Sequence, residues 1–421
     1  MLTKAPKGTK DILPEQVYRW DYVETFFSEV CREFGFEEIR TPLFEHTELF
    51  ARGVGDTSDI VEKQMYTFDD YGGRSITLRP EGTAGVVRAF IENKLYAGVI
   101  PAKYCYTSPC FRYEKPQAGR LRAFNQFGVE IFGSPDMLAD TEVIGLADSF
   151  FRALGIKGLS LRINSIGCPA CRKGYREALK SFLTPKYEKL CDTCKSRYEK
   201  NPMRILDCKS PICRELAQGA PLMIDYLCEE CSEAFSELKE NLTAAGIGFT
   251  VDPSIVRGLD YYTKTAFEFV SDDIGAQGTV CGGGRYDHLV EALGGPEMPG
   301  VGFGLGIERL LLLLESQGIE IPKPQKPDVF LAFIGDEAKA KALELALALR
   351  RTGLSVFLDP CGRNVKGQFK YADRVGARRT VIIGEDELAS SSATVRDMEG
   401  GEQKKVAFEK LAEEFKEDDI A

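Results

Sequence analysis

Four stretches of this 421-residue chain carry residues whose types and spacing could do chemistry. FRYEKPQAGRLRAFNQFGVEIFG, from Phe111 to Gly133, reads as a hairpin. It has a strand-like start, a Pro/Gly loop carrying cations, and a return strand alternating apolar and polar residues. Arg112 leads it, and Glu130 sits in the apolar return strand between Val129 and Ile131. A carboxylate in that setting is either paired or functional, because burying it alone is costly. A structural Arg–Glu pair and a binding role are both open. In VRGLDYYTKTAFEF, Arg257 and Asp260 precede Tyr261 and Tyr262 and then a strand pattern. CGGGRYDHL (281–289) has three glycines, which permit a tight turn or close approach of backbone to a ligand. GVGFGLGIERLLLL (300–313) puts glycines on a strand and Glu308-Arg309 at the start of a helix. An arginine there opposes the helix dipole unless an anion binds nearby. No P-loop and no strand-GxGxxG-helix fingerprint occurs, which argues against those nucleotide folds.

Cysteine is the other chemically loaded residue type. Eight of thirteen lie between Cys168 and Cys231, as Cys168/Cys171, Cys191/Cys194, Cys228/Cys231 and the wider pair Cys208/Cys213. A CxxC turn brings two thiolates to one ion, and two such pairs make a tetrahedral zinc site. The nineteen residues between the first two pairs fit the spacing of one such site, and four pairs could close two. Zinc there would be structural, outside the chemistry. The alternative is reduced cysteines packing as small hydrophobes. With only His46 and His288, histidine-based metal sites and Ser-His-Asp triads are poorly supplied.

The formal net charge is −10, which excludes a globally basic nucleic-acid coat. Two basic islands remain. Arg112, Lys115, Arg120 and Arg122 face only Glu114 between Cys110 and Arg122. Arg363, Lys366, Lys370, Arg374, Arg378 and Arg379 face only Asp373 between Cys361 and Arg379. They could hold a polyanion at two separated points or be solvated surface. No apolar run approaches the ~20 residues that span a bilayer, and no signal peptide is visible. A cytoplasmic protein with no membrane partner is expected.

The elements that must position these residues fall into two patterns. The proline-rich IPKPQKP (321–327) separates them. We expect domains at 1–325 and 326–421. After the linker, DVFLAFIG, LSVFLD and RTVIIG read as strands alternating with two helices, a small α/β domain. Before it, SITLRP, FNQFGVEIFG, LSLRINSIG and TAFEFVSD read as strands of an α+β domain with a mostly antiparallel sheet. GIERLLLLLESQG is a helix apolar nearly all round, hence buried. Residues 168–246 turn helical, charged and cysteine-rich, an insertion into the first domain.

Taken in order, these motifs resemble the histidyl-tRNA synthetases, a family of class II aminoacyl-tRNA synthetases. TPLFEHTELFARGVG, with Pro42, is similar to the family's dimer-interface motif; FRYEKPQAGRLRAFNQFG to its second motif; and GFGLGIERL to its third. LRPEGT, RGLDYY and GGGRYD resemble segments typical of the histidine-specific enzymes. His288 stands where glycine is expected, and Asn125 where histidine or glutamine is.

The resemblance implies a six-stranded antiparallel catalytic sheet, a helical insertion, an anticodon-binding C-terminal domain and a homodimer. It implies ATP with Mg2+, L-histidine and tRNA(His) as partners, and a histidyl-adenylate intermediate. Arg112 and Arg257 would be catalytic, at the α-phosphate and carboxylate. Glu81, Gly82, Thr83, Gln126, Glu130, Tyr261 and Tyr262 would bind histidine with those arginines. Arg112, Glu114, Phe124 and Arg309 would bind ATP, and Gln117 and Arg122 tRNA. A non-catalytic paralogue that binds histidine or tRNA is the alternative, but such relatives usually lose the RGLDYY arginine or the C-terminal domain, and this chain keeps both.

Overall fold

The computed structural model describes residues 3–55, 58, 60–206, 208, 210–255, 259–275 and 278–417. The chain divides into two compact units, Met1–Pro322 and Lys323–Ala421.

The first unit is built on one sheet of β1 (Glu37–Glu38), β2 (Ala102–Phe111), β3 (Ala123–Phe132), β4 (Ser160–Ser165), β5 (Thr250–Val251), β6 (Thr263–Val270), β7 (Thr279–Arg285) and β8 (Gly300–Gly306). Their order is β1-β2-β3-β8-β7-β6-β4-β5. The inner six pair antiparallel, and β1 and β5 join the edges in parallel. The expected six-stranded antiparallel sheet is therefore corrected to an eight-stranded mixed one. The two extra strands have two residues each, too short to write a period-two pattern. SITLRP is also relocated. Ser75–Leu78 lies between Phe44–His46 and Tyr66–Asp69 in a separate three-stranded sheet.

Strand alternation assigns the faces. Phe127, Val129 and Ile131 of β3 enter the main core, with helices α1 (Pro14–Glu33) and α3 (Met137–Ala153). Phe27 stacks on Phe127 at 4.2 Å, and Phe150 meets Phe27 edge-on at 5.4 Å. Glu130 and Phe132 point to the other face, where Val86, Val87 and Phe90 of α2 (Thr83–Glu92) pack. The triple glycine is not a turn but part of β7. A Cβ on Gly283 would come within 2.2 Å of the Gly302 carbonyl oxygen, and one on Gly284 within 2.3 Å of that of Thr265. Only glycine lets these backbones close. The next residue, Arg285, is fully buried against Asp140 and also donates to the carbonyls of Ser134 and Asp136.

Residues 168–246 include α4 (Pro169–Leu183), the shorter helices Asp192–Lys200 and Pro211–Ala217, and α5 (Glu229–Ala244). Their small core holds twelve buried residues, five of them cysteines.

In the second unit, β9 (Val329–Phe333), β10 (Val356–Leu358) and β11 (Arg379–Ile383) are parallel, with α7 (Asp336–Arg351) and α8 (Val365–Val375) as crossovers. Two further antiparallel strands, β12 (Ser392–Asp397) and β13 (Gln403–Ala407), extend the sheet to the order β10-β9-β11-β12-β13. Asn364 caps α8 through the Gly367 amide, and Gly376 ends it at φ 70°. Of the second basic island, Arg363 pairs with Asp359 and Arg378 with Asp328. Lys366, Lys370 and Arg374 form an exposed stripe at four-residue spacing along α8. Among the described residues no helix is long and apolar enough to cross a membrane.

Candidate active site

A cavity of about 770 Å3 opens in the first unit. Of the residues expected from the sequence, Glu81, Gly82, Thr83, Arg112, Glu114, Gln117, Phe124, Gln126, Tyr261, Tyr262 and Arg309 all line it. Arg257 lies outside the described residues. Arg122 and Glu130 are not in the lining. Arg122 stacks on the Tyr113 ring at 3.8 Å, and its backbone amide donates to the Gly8 carbonyl at 2.7 Å.

One end of the cavity is cationic. The β2–β3 loop is closed by reciprocal backbone bonds between Gln117 and Arg120, which set Arg120 beside Glu114. Arg112 donates through Nε to the Pro80 carbonyl at 2.7 Å, and its guanidinium lies 5.2 Å from the Phe124 ring centre. Arg309, in the first turn of α6 (Ile307–Ser316), donates to the carbonyls of Gly119 and Thr279. Burial and then the neighbouring Arg120, with Arg112 further contributing, hold Arg309 below the usual arginine range. Arg112, Arg120 and Arg309 crowd together here beside Glu114, Glu268 and Glu308, and the mutual repulsion of the guanidiniums is what an anionic ligand would relieve. Beside it, Glu308 accepts from the Asn125 backbone amide at 2.9 Å and from its side-chain amide at 3.2 Å. Burial pushes Glu308 up to about 6. Asparagine at 125 thus makes the bond its position asks for.

The other end is enclosed and acidic. Glu81 accepts from the amides of Thr83 (2.8 Å) and Ala84 (2.9 Å), so its carboxylate caps α2 while facing the cavity. Burial raises it above the usual carboxylate range, against those two bonds. Glu130 is fully buried and accepts from the hydroxyls of Tyr106 (2.9 Å) and Tyr286. Burial pushes it up to about 8, opposed by the Tyr286, Thr83 and Tyr106 hydroxyls. Tyr261 and Tyr262 pack at 4.6 Å, and Tyr261 meets Tyr286 edge-on at 5.6 Å. Among the described residues no Arg112–Glu130 pair forms, and tyrosine hydroxyls satisfy the carboxylate. Tyr106 and Tyr286 are functional candidates that sequence reasoning missed. Tyr106 is wedged so tightly that a Cβ on either Gly82 or Gly128 would come within 2.2 Å of its ring.

Comparison with known proteins decides what kind of cavity this is. The family model for histidyl-tRNA synthetase matches residues 8–170 and 213–310, and that for an anticodon-binding domain matches 328–418. The chain belongs to the histidyl-tRNA synthetase family. It is 58% identical to a histidine–tRNA ligase of Caldanaerobacter subterraneus subsp. tengcongensis, over 99% of this chain and 100% of that one. Identity to the Clostridioides difficile histidine–tRNA ligase is 56%, over 99% and 100%. The crystal structure of apo histidyl-tRNA synthetase from S. aureus superposes with a TM-score of 0.84 at 43% identity, covering 99% of this chain and all of that one. The segment between the two stretches matched by the first family model, 171–212, holds Cys171, Cys191, Cys194 and Cys208.

The eight thiols from Cys168 to Cys231 do not meet as their order suggests. Cys168 and Cys171 join Cys228 and Cys231, and Cys191 and Cys194 join Cys208 and Cys213. The nineteen-residue spacing between the first two pairs therefore marks no shared site. The second group is nested inside the loop that the first one closes.

Proposed function

We propose that this cavity activates L-histidine with ATP and transfers it to tRNA(His), the reaction of a histidine–tRNA ligase. The observation that carries this reading is one cavity with a cluster of arginines at one end and an enclosed carboxylate–tyrosine pocket at the other. The first end suits a triphosphate. The second suits a small substrate with an ammonium group and a ring that both donates and accepts hydrogen bonds.

In the first step a carboxylate oxygen of histidine attacks the α-phosphorus of ATP, the bond to the bridging oxygen breaks, and pyrophosphate leaves. Such transfers depend on positioning and charge stabilisation. Arg112 offers the planar fork that binds phosphate or carboxylate oxygens. Arg257 keeps the partner role implied by the resemblance. Arg309 holds the distal phosphates, Phe124 stacks on adenine, and Glu114 accepts from its amino group. ATP enters as its Mg2+ salt, and Glu268 and Glu308 supply hard oxygens of the kind Mg2+ takes.

Glu81, Thr83 and Gln126, with Gly82 leaving room, receive the ammonium group. Tyr261 and Tyr262 meet the imidazole, and Glu130 acts on it from beneath through Tyr106 and Tyr286. In the second step the terminal ribose hydroxyl of tRNA attacks the adenylate carbonyl and AMP leaves. Gln117 and Arg122 lie in or beside the loop that would meet the acceptor end. Lys366, Lys370 and Arg374 would hold anticodon-stem phosphates, which position the RNA without reading it.

We place catalysis in 1–325, anticodon binding in 326–421, and the helical stretch 168–246 as an insertion into the first. A homodimer is supported by the segment resembling the dimer motif: Leu43 and Phe44 are 46% and 56% exposed, apolar surface that a second copy would cover. A cytoplasmic setting agrees with thirteen free thiols. The test is ATP–pyrophosphate exchange with each of the twenty amino acids. Exchange with histidine alone is expected, and none with histidine would overturn the reading. Sedimentation should give twice the monomer mass.

A further inference from the structure

The two groups of four cysteines have the geometry of metal centres. Within each group the sulfurs lie within 4.8 Å of one another. The separations are 3.5 Å for Cys168–Cys171, 4.0 Å for Cys168–Cys228 and 4.0 Å for Cys191–Cys208. A disulfide needs about 2.05 Å. A tetrahedron with zinc–sulfur bonds of about 2.3 Å has edges of about 3.8 Å. Cys168, Cys191 and Cys228 each cap a helix, and Cys171, Cys194 and Cys231 sit in the first turn of the same helices. Both sulfurs of every CxxC thus lie at the N-terminal end of a helix. Backbone amides donate to the sulfurs as well: Cys228 to Cys171 at 3.0 Å, Cys191 to Cys213 at 3.4 Å and Ser210 to Cys208 at 3.5 Å. Thiols acting only as small hydrophobes have no reason to converge in fours with amide donors around them.

The inner group also reaches the cavity. Between its ligands Cys194 and Cys208 runs the turn Pro202–Ile205. Asn201 donates to Asp260 Oδ1 at 3.2 Å, and Arg204, 4% exposed, donates to the same oxygen through Nε at 3.2 Å and Nη2 at 3.0 Å. Asp260 leads directly into Tyr261 and Tyr262, both in the cavity wall.

We propose that each cluster holds one Zn2+, and that the inner ion fixes the Asn201–Arg204 turn on Asp260 and so sets the two tyrosines that face histidine. The coupling rests on the histidine-site reading above; the zinc count does not. It replaces the expectation of a metal whose effect stays inside the insertion. Arg204 and Asn201 are positioning residues.

The test begins with metal analysis of full-length protein purified without chelator. Two zinc ions per chain are expected, both released when a mercurial thiol reagent is titrated in and a chromophoric chelator reads the free metal. Any other count, iron in place of zinc, or eight thiols that titrate freely in the native protein would overturn the metal assignment. Cys194→Ser should retain one zinc and raise the KM for histidine in pyrophosphate exchange about tenfold, within the range usual for coupled sites, with the KM for ATP unmoved. Arg204→Gln should keep both zinc ions and shift the histidine KM alike, so the coupling stays testable if the cysteine variant does not fold. Arg204→Gln with an unchanged histidine KM would overturn the coupling. Because wild-type exchange is measured alongside, that outcome leaves the synthetase reading standing, whereas absent wild-type exchange would strike the reading itself.

Discussion

The two ends of the cavity hold charge by opposite means. At the end we assign to ATP, Arg112 and Arg309 are steered by backbone carbonyls of Pro80, Gly119 and Thr279. For Arg112 such a neutral partner orients the guanidinium without cancelling its charge, and leaves it for a ligand. At the histidine end, Glu130 is sealed from water and steadied by two tyrosine hydroxyls. That arrangement keeps a carboxyl group whose charge is expensive until a cationic or hydrogen-bonding guest arrives. One end stores charge and the other withholds it.

Arg112→Ala is the hardest test of that contrast. It should lower histidine-dependent exchange about 10²–10³-fold, the loss of roughly 2.7–4 kcal/mol that follows removal of one charge-stabilising donor. Far-UV circular dichroism should stay native. Near-normal exchange in the folded variant would remove Arg112 from the chemistry.

Glu130→Gln probes the other end. Glu130 reaches histidine only through Tyr106 and Tyr286, and an ordinary hydrogen bond contributes roughly 0.5–1.5 kcal/mol, so equilibrium histidine affinity should fall about 2–12-fold while ATP affinity holds. The reverse pattern, read by calorimetry, would mean the ends have been exchanged.

The same residue sharpens the contrast through pH. Glu130 titrates near its usual 4.5 when unfolded and at about 8 in the folded chain. Its contribution to stability is full below pH 4.5 and is lost as pH rises through 8, by at most about 1.4 kcal/mol per unit of displacement. Thermal unfolding of ligand-free protein should show Glu130→Gln gaining on the wild type from pH 5 to 8. Parallel curves would mean that Glu130 is not a withheld charge.

The smallest effects belong to the exposed stripe on α8, where cations have neither carbonyl clamps nor burial. Replacing Lys366, Lys370 or Arg374 singly by Gln should weaken tRNA binding uniformly across sequences. Each replacement should cut the salt slope by about 1. A change in preference among tRNAs without a change in slope would mean these residues read bases.

Much of this was legible in linear order. Arg112, Glu130 and Arg309 stand out because their types are wrong for their local pattern, and eleven of the site residues that the family resemblance implies do line one cavity. What order alone hides is register. Tyr106 lies opposite Gly128, and Glu130 opposite both Tyr104 and Gly302, so the partners of Glu130 come from strand pairing and not from spacing. The cysteines fail for the same reason: a linear interval says which thiols are near in sequence, while helix packing decides which converge. Edge strands of two residues and a GGG that closes a sheet leave no local signature at all.

The nesting of the two thiol groups also orders events in time. On a growing chain the inner group is complete once Cys213 has emerged; the outer group must wait for Cys231. Linking Cys191 to Cys208 closes 17 residues, and linking Cys171 to Cys228 closes 57. Each doubling of a loop costs only about 0.6 kcal/mol, so closing the inner group first spares the outer one much of that entropy. The segment is a knot drawn tight from the inside, and the turn carrying Asp260 is synthesised only after both ties are available.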